Sequence, residues 1–385
     1  MEKNIKLLSW FNFFTDFIPY FPLAVIYYSQ IAGSYALGMS IFSITMLSAA
    51  LFEIPTGVFS DRIGRKQTMV YGALSSCIGT LFIAWGSYLF LVLGAVFLGI
   101  ARSFYSGNNE AFLHDSLKQL GKENEFSTYL AKTNAPFQIA MGISAITGSI
   151  IAYWSLHAAV WITIIPQLLA LFISLRFTEP SIHDSKSTNI YDHLWVALKQ
   201  FKINKRLRYL SIASIIRYGL GEAAFVFRFA FISTVWPIWA LGLSSTLSHI
   251  GSTIGYFVSK SIFKRFSIMK ILVGEILINR VINFAALLFP TIISPILISG
   301  TSFFWSSAEI AKSTILQKEF TQEQRATMGS ITSFAGNILF AISAFIMGIA
   351  ADVVGPRNVL ILIQVLFLST LYFYHLLQKE LKKTI

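Results

Sequence analysis

The sequence predicts an all-α integral membrane protein with twelve transmembrane helices in two pseudo-symmetric six-helix bundles, and three observations support this fold class. The 385 residues are 55% hydrophobic and 12% charged, whereas about 25% of the residues in a soluble domain are charged. Long apolar segments recur along the whole chain, each close to the ~20 residues that a helix needs to cross the hydrocarbon core. These segments are too long, and alternate too little, for the strands of a membrane β-barrel. The third observation is the placement of the basic residues.

Lysine and arginine concentrate in the chain termini and in the even-numbered loops between the apolar segments. The opposite loops at 31–33, 87–88, 154–156 and 289–290 contain neither residue. This positive-inside bias places both termini in the cytoplasm. The formal net charge of +12 is therefore a topology signal, with anionic lipid at the cytoplasmic face as a partner, and it does not indicate nucleic-acid binding.

The apolar segments form two sets of six on either side of the longest polar stretch. We therefore predict an N-terminal bundle over 1–178, a cytoplasmic linker over 179–207 and a C-terminal bundle over 208–385. Within the linker, apolar residues from Ile190 to Phe201 recur at helical spacing, which favours a short amphipathic helix on the membrane surface; a plain solvated linker is the alternative. The predicted membrane spans are roughly 6–30, 34–59, 67–86, 89–115, 128–153, 157–177, 208–231, 238–260, 267–288, 291–315, 326–350 and 357–377.

The first segment is too long for a signal peptide and lacks a small-residue cleavage site, so it is predicted to be the first transmembrane helix. It contains Asp16, three residues before Pro19. Ionisable side chains inside membrane helices are costly and usually face the bundle interior or a water-filled cavity. A carboxylate that alternates between a dry and a cation-lined environment binds and then releases a proton. Asp16 is therefore the leading candidate for proton coupling, followed by Glu222 and Glu53.

The loop between the second and third segments carries the most specific motif in the chain. Residues 57–66 read Gly-Val-Phe-Ser-Asp-Arg-Ile-Gly-Arg-Lys, a dense basic run that spanning a bilayer does not require. The run resembles the cytoplasmic signature of the major facilitator superfamily, G-x-x-x-D-R-x-G-R-[RK]. The preceding residues 53–57, Glu-Ile-Pro-Thr-Gly, resemble a drug- or metabolite-transporting branch of proton antiporters.

This resemblance implies a secondary transporter of that superfamily, which works by alternating access and is driven by the proton gradient. It also implies that the loop is a conformational gate, which in the family holds the two halves together on the cytoplasmic side while the outer side is open. A second run, from Asp352 to Arg357, echoes the motif on the outer side and is interpreted as a structural loop. The gate residues implied by the resemblance are Gly57, Asp61, Arg62, Gly64, Arg65 and Lys66.

The two halves of the sequence repeat each other. The octapeptide at 103–110 in the fourth segment matches the octapeptide at 302–309 in the tenth, and Gly57 pairs with Gly255 at nearly the same offset. Parallel repeats of this kind place the substrate site between the halves, near the membrane midplane. Arg102, directly before the first octapeptide, resembles the arginine of the family's fourth-helix motif, which is linked there to proton transfer, although the glycine that follows comes one residue late.

The fifth and seventh segments bear on the direction of transport and on the substrate. The Gly-Pro pair of the family's antiporter motif is absent from the fifth segment, which counts against export, and its Gly142 and Gly148 suit a bend or close helix packing. In the seventh segment, Arg217 precedes Glu222 by five residues. Together with Arg102, it makes a pair of mid-membrane arginines that serve proton coupling or anchor an acidic or zwitterionic substrate.

Aromatic and polar residues on the cavity-prone helices are candidates for contact with a solute. The aromatic rings among them would stack on an apolar or aromatic compound. Packing inside the helix bundle is the alternative interpretation for each residue. The candidates are Phe13, Tyr105, Asn108, Phe225, Phe304 and Trp305.

The sequence contains no pattern typical of an enzyme, a metal site or a cofactor site. A P-loop is absent, and the six histidines are scattered along the chain. The single cysteine, Cys77, excludes both an internal disulfide and a metal cluster built on thiolates. We therefore predict no enzymatic activity, no cofactor and no metal.

Three functions agree with these features. The preferred one is proton-coupled efflux of small amphipathic compounds, as in multidrug export, by a monomer in a bacterial inner (plasma) membrane. The alternative is proton-coupled uptake or export of an anionic metabolite such as a carboxylate siderophore, which the membrane arginines favour. In both, the partners are a small-molecule substrate, protons and the lipid bilayer. The third is a non-transporting membrane sensor, in which the same charges form structural ion pairs.

Overall fold

The computed structural model describes residues 1–181, 199, 201–319 and 322–383 of the chain. The described residues form helices joined by short turns, and none of them lies in a β-strand. The predicted amphipathic helix over 190–201 falls almost entirely outside the described part of the chain. The helices are α1 (Glu2–Thr15), α2 (Ala24–Ala32), α3 (Tyr35–Ile63), α4 (Arg65–Trp85), α5 (Tyr88–Tyr105), α6 (Asn108–Gln119), α7 (Phe126–Trp154), α8 (Leu156–Trp161), α9 (Ile164–Leu175), α10 (Lys205–Ile232), α11 (Leu241–Arg265), α12 (Ile268–Leu288), α13 (Ser294–Gly300), α14 (Ser302–Glu319), α15 (Gln322–Phe367) and α16 (Ser369–Lys382), with 3-10 turns at Phe21–Leu23, Glu123–Glu125 and Ile238–Ala240.

The apolar segments of the sequence coincide with these helices, but several are interrupted. Segments 6–30, 89–115, 157–177 and 291–315 each contain two helices instead of one, namely α1–α2, α5–α6, α8–α9 and α13–α14. Conversely, α15 continues through a predicted loop, where Gly355 has non-helical backbone angles (φ 81°, ψ 158°). Eight helical stretches among the described residues are long and apolar enough to cross a membrane. Twelve complete crossings with both termini in the cytoplasm therefore stay a prediction.

The first interruption places Asp16 at the end of α1. The chain leaves helical geometry there, around Pro19, and backbone groups without a helical partner must find other hydrogen bonds inside a membrane. Gln167 of α9 supplies one, since its Nε2 donates to the carbonyl oxygen of Thr15 at 3.2 Å. A Cβ on Gly148 of α7 would lie only 1.9 Å from the carbonyl oxygen of Pro19. The close packing predicted for Gly148 is therefore confirmed, and it holds the break in place.

Contacts divide the described chain into two units, each with its own apolar core. The core of unit 1 includes Leu8 and Phe112, and the core of unit 2 includes Leu207 and Tyr374. The start of α3 groups with unit 2, and the start of α11 groups with unit 1, so the units differ at these two places from the predicted halves. The described residues of unit 1 are 1–33, 40–181 and 238–243, and those of unit 2 lie within 34–39, 199–237 and 244–383.

The internal repeat corresponds to matching contacts within the two units. In unit 1, the hydroxyl of Ser60 donates to the side-chain oxygen of Asn108 at 2.7 Å and joins α3 to α6. In unit 2, the hydroxyl of Ser259 donates to that of Ser307 at 3.3 Å and joins α11 to α14. The two contacts stand at the same offset as the matching octapeptides. The sequence repeat therefore corresponds to one helix–helix contact that occurs at equivalent positions in both units.

The start of α3 is held in unit 2 by the carboxylate of Asp352 on α15. Its Oδ1 accepts a hydrogen bond from the backbone N–H of Tyr35 at 2.7 Å, and its Oδ2 accepts one from the N–H of Ala36 at 2.9 Å. The first N–H groups of a helix lack partners within it and carry partial positive charge, so a carboxylate is favoured there. Beside this cap, a Cβ on Gly348 would lie 2.5 Å from the carbonyl oxygen of Tyr35. The two helices therefore touch backbone to backbone where Asp352 binds.

Asp352→Ala is expected to loosen the start of α3. Loss of a helix cap costs about 0.5–2 kcal/mol, and about 1.4 kcal/mol changes an equilibrium tenfold. Met39 is fully buried against Gly348, so a soluble maleimide should label a Met39→Cys variant, in a Cys77→Ser background, several-fold faster when Asp352 is absent. Arg357→Gln, which removes bonds to carbonyl oxygens of α12, is the matched control. Equal labelling rates in all backgrounds would contradict the prediction.

Candidate functional site

A polar cluster in unit 1 forms around the break in the first segment. Asp16, at the end of α1, interacts electrostatically with Arg102 near the end of α5. Tyr105, one turn further along α5, lies beside Thr15 and Asp16. Its ring packs so closely against Gly72 of α4 that a Cβ there would lie 2.5 Å from a ring carbon. The structure thus brings Asp16 of the first predicted segment together with Arg102 and Tyr105 of the fourth.

The gate motif in unit 1 is organised around a glycine turn and a carboxylate cap. Gly64 has φ 100° and ψ 161°, backbone angles that residues with a side chain rarely adopt. Glu179, beyond the end of α9, accepts hydrogen bonds from the N–H groups of Arg65 at 2.7 Å and Lys66 at 2.8 Å. A Cβ on Gly64 would lie 2.7 Å from the carboxyl carbon of Glu179. Glycine is therefore required both by the backbone angles and by the cap, while Arg62 next to the turn is exposed.

The side chain of Arg65 ties this turn to α3 and α6. Its Nη1 donates to the hydroxyl of Ser60 at 2.8 Å, and its Nε lies 3.5 Å from Oδ2 of Asp115. The amide of Asn108, a cavity candidate in the sequence, donates to the backbone carbonyl of Arg65 at 3.1 Å. Asn108 is therefore engaged in holding the turn. The side chain of Asp61 lies outside the described part of the structure.

In unit 2, Arg217 of α10 pairs with a carboxylate that no sequence motif marks. Its Nη1 lies 3.3 Å from Oε2 of Glu275 on α12 and donates to the hydroxyl of Tyr374 on α16 at 3.3 Å. The amide of Asn279 donates to Oε1 of the same carboxylate at 2.8 Å. Arg217 and Glu275 are each 7% exposed. They form a buried ion pair, in which removal of one partner leaves an uncompensated charge.

A second arginine, Arg280 on α12, interacts electrostatically with the carboxylate of this ion pair. The guanidinium group of Arg280 lies over the ring of Phe367, 4.1 Å from its centroid, and interacts electrostatically with Glu275 and Arg217. Its Nε and Nη1 have no hydrogen-bond partner among the described residues. Two buried guanidinium groups therefore depend on a single carboxylate.

A further buried arginine lies towards the predicted outer end of α10. The guanidinium group of Arg228 lies 3.9 Å from the ring centroid of Phe225 and 5.0 Å from that of Phe229, and its Nη2 donates to the hydroxyl of Ser248 at 3.0 Å. Glu222 interacts electrostatically with this arginine. Two residues predicted for separate roles, Glu222 and Phe225, thus surround one cation in unit 2.

The remaining predicted site residues are distributed over both units. In unit 1, Glu53 accepts a long hydrogen bond from the hydroxyl of Ser106 at 3.4 Å, and Phe13 packs edge-on against the next phenylalanine, with 5.2 Å between ring centroids. In unit 2, Phe304 packs edge-on against the preceding phenylalanine at 5.1 Å, and Trp305 is 39% exposed. Phe13 and Phe304 thus make ring contacts within their own units, and Trp305 is partly exposed.

The buried polar residues of α12 follow a pattern that is visible in the sequence. Glu275, Asn279 and Asn283 recur at intervals of four residues, so they lie on one face of the helix, and all three are buried. A polar face on an apolar membrane helix indicates polar partners inside the bundle. The spacing therefore predicts an interior partner for Glu275, although it does not identify that partner as Arg217.

The described residues offer proton and anion chemistry. No group of three or more His, Cys, Asp or Glu side chains among them is arranged to hold a metal ion. The clusters instead combine carboxylates with guanidinium groups inside helical bundles. A carboxylate in such a place can exchange its cationic partner for a proton, and a guanidinium group can bind a carboxylate or phosphate through two parallel hydrogen bonds.

The sequence is similar to those of proteins named as transporters. A sequence model described as Major Facilitator Superfamily matches residues 6–344. An uncharacterized transporter of Buchnera aphidicola subsp. Schizaphis graminum is 27% identical over 171 residues, which cover 44% of this chain and 41% of that protein. A Na(+), Li(+), K(+)/H(+) antiporter of Planococcus maritimus is 23% identical over 186 residues, or 46% of this chain and 42% of the antiporter. The chain thus spans less than half the length of such curated relatives.

The fold has close counterparts among solved structures. A mutant form of the nucleoside transporter NupG superposes with a TM-score of 0.78 at 15% sequence identity, and the superposition covers 97% of this chain and 98% of the other. At this identity the similarity concerns the fold alone.

Proposed function

This chain belongs to the major facilitator superfamily, and on that premise we propose that it is a proton-coupled secondary transporter that moves a small solute by alternating access. The electrostatic interaction of Asp16 with Arg102 in unit 1 carries the proposal, since it relates a proton-binding group to a cation at a break in a membrane helix. Broken membrane helices typically mark substrate and ion sites in transporters. The antiporter relative, whose name includes protons as exchanged ions, supports the coupling.

In the proposed cycle, Asp16 carries the proton. When ionised, it is attracted electrostatically to Arg102. When Asp16 takes up a proton, the electrostatic attraction between Asp16 and Arg102 is lost, and a different helix arrangement becomes favourable. Protonation thereby favours one conformation over another, which is the energetic requirement for any coupled change.

Two carboxylate caps are suited to the conformational part of this cycle. Glu179 caps α4 within unit 1 at the gate motif, and Asp352 caps α3 within unit 2. Each cap consists of hydrogen bonds from backbone N–H groups to a carboxylate. These bonds can break without leaving a buried cation unpaired, because the donors are not charged side chains. We expect the first turn of α3 to leave Asp352 when the outer end of the protein opens.

Two solute classes are proposed. The resemblance of residues 53–57 to a drug- or metabolite-transporting branch is the basis for the first class, efflux of small amphipathic compounds from the cytoplasm of a bacterial cell, across its plasma membrane, by a monomer. The second candidate is an anionic metabolite moved in either direction. It is favoured by Arg280, whose Nε and Nη1 have no hydrogen-bond partner among the described residues. A solute with both an aromatic ring and a carboxylate belongs to both classes and is the first compound to test.

Solute-triggered proton flux in proteoliposomes tests the proposal. Purified protein is reconstituted with a pH-sensitive dye inside, and cationic drugs and carboxylate metabolites are added in turn under an imposed pH gradient. We expect one class to change the internal pH above the level of protein-free liposomes. Solute movement without proton movement would contradict the coupling. Absence of both, with a folded protein, would favour the membrane sensor.

A further inference from the structure

The cluster around Arg217 and Arg280 in unit 2 contains more positive than negative charge. Arg217, Glu275 and Arg280 are 7%, 7% and 9% exposed, so all three are removed from water. Two guanidinium groups and one carboxylate leave one positive charge without a counter-ion. The other acid that interacts electrostatically with Arg217 is Glu309, and it already pairs with Lys312 one helical turn away.

The hydrogen-bond donors of this cluster are also in excess. Oε1 of Glu275 accepts a hydrogen bond from Asn279, and Oε2 lies 3.3 Å from Nη1 of Arg217. Among the described residues, Nη2 of Arg217 and both Nε and Nη1 of Arg280 have no hydrogen-bond partner, and neither do the acceptors Oε2 of Glu275 and Oδ1 of Asn279. The three unpaired donor atoms outnumber the two acceptors, and unpaired buried donors are costly, so the cluster is suited to a further acceptor.

The geometry of Arg280 is suited to receive such an acceptor. Its guanidinium plane lies on the face of Phe367, 4.1 Å from the ring centroid, a contact that orients the plane and contributes some stabilisation of the cation. Nε and Nη1 lie on different sides of the group, and both have no hydrogen-bond partner among the described residues. Each can donate a charge-assisted hydrogen bond to an oxygen of an anion.

We propose that Arg280 and Arg217 form a binding subsite for one anion, a carboxylate or a small inorganic anion, within unit 2. Glu275 positions Arg217 and does not contact the anion. The inference deepens the proposed function, and it rests on that function only in treating the anion as part of the transported solute. The same chemistry fits two sources, an organic carboxylate and an inorganic ion such as chloride or phosphate.

Thermal unfolding of the purified full chain in detergent tests this subsite without transport. The buffer is zwitterionic, with ionic strength kept constant by a bulky organic sulfonate, so that screening does not vary. Benzoate, inorganic phosphate and chloride are titrated separately. We expect at least one of them to raise the Tm of the wild type along a saturable curve, as binding to the folded state requires.

Arg280→Gln separates the proposal from a purely structural role. In the buffer without benzoate, phosphate or chloride, the variant should unfold at a higher temperature than the wild type, because an uncompensated buried charge has been removed. The saturable rise with the anion should weaken by about tenfold or more in affinity, since the charge-assisted hydrogen bonds are lost. Arg280→Lys should bind with intermediate affinity, and it replaces the Gln variant if that one does not fold. Arg208→Gln, at a half-buried position of α10 away from the cluster, is the matched control and should bind the anion with the affinity of the wild type.

The outcomes distinguish the two sources of the anion, and they either support or overturn the proposal. Saturation by benzoate identifies an organic carboxylate, and saturation by chloride or phosphate alone identifies an inorganic ion. The proposal is overturned if no probe gives a saturable rise in Tm, if Arg280→Gln binds like the wild type, or if Arg280→Gln has a lower Tm than the wild type in buffer without the probe anions. Asp16→Asn should keep the saturable rise, so failure of proton coupling and failure of this subsite are read from different experiments.

Discussion

Asp16→Asn is expected to abolish solute-driven proton flux in proteoliposomes while exchange of the solute across the membrane continues. Asparagine has nearly the shape of aspartate but cannot bind a proton, and it cannot form an ion pair with Arg102. Proton flux should therefore fall to the level of protein-free liposomes. Counterflow of radiolabelled solute should persist, and its pH dependence should disappear because the titrating group has been removed.

Two further variants complete this experiment. Glu110→Gln removes an exposed acid on α6 and should leave the proton flux unchanged. Asp16→Glu keeps the carboxyl group and should retain part of the flux, which separates loss of the proton site from loss of packing at the helix break. Persistent flux in Asp16→Asn would refute this assignment and transfer the coupling role to Glu222 or Glu53.

Glu275→Ala should produce the largest loss of stability in the chain, about 3–5 kcal/mol. Removal of one partner from a buried ion pair leaves the other as an uncompensated charge, with a cost in this range. Here two cations lose their acid at once, because Arg280 interacts with the same carboxylate. The free energy of unfolding in mixed detergent–SDS micelles measures the loss, with circular dichroism reporting helix content.

A double-mutant cycle identifies the cause. Arg217→Gln combined with Glu275→Ala should be less destabilised than Glu275→Ala alone, since the stranded cation is gone, and the coupling energy isolates the pair. Glu309→Gln is the matched control, because that acid is 32% exposed and pairs with Lys312; its cost should be below about 1 kcal/mol. A loss in Glu275→Ala as small as in this control would show that the pair does not stabilise unit 2.

Much of the fold was predictable from one sequence because membrane helices have few options. Segment length and apolar content identify helices, and the basic loops identify their orientation. The run at 57–66 indicated the family, which the match over residues 6–344 confirms. The tandem repeat was visible as two octapeptides and reappears in the structure as the contacts Ser60–Asn108 and Ser259–Ser307.

The interruptions of the helices were less predictable. Asp16 ends α1 because the freed carbonyl of Thr15 finds a donor in Gln167 of α9, and because Gly148 of α7 admits the chain at Pro19. Neither partner is near Asp16 in the sequence. Hydropathy measures whether a segment suits lipid, and it contains no information on which distant side chain will satisfy a broken backbone.

The sequence alone determined the fold class and the family, and it predicted which charges lie in the membrane. The tertiary structure decided which charges meet. Arg217 stands five residues from Glu222 in the chain, yet it pairs with Glu275, while Glu222 interacts with Arg228. The reason is geometric. Residues five apart on a helix point in different directions. A buried cation therefore pairs with an acid that a neighbouring helix places at the same level in the bundle.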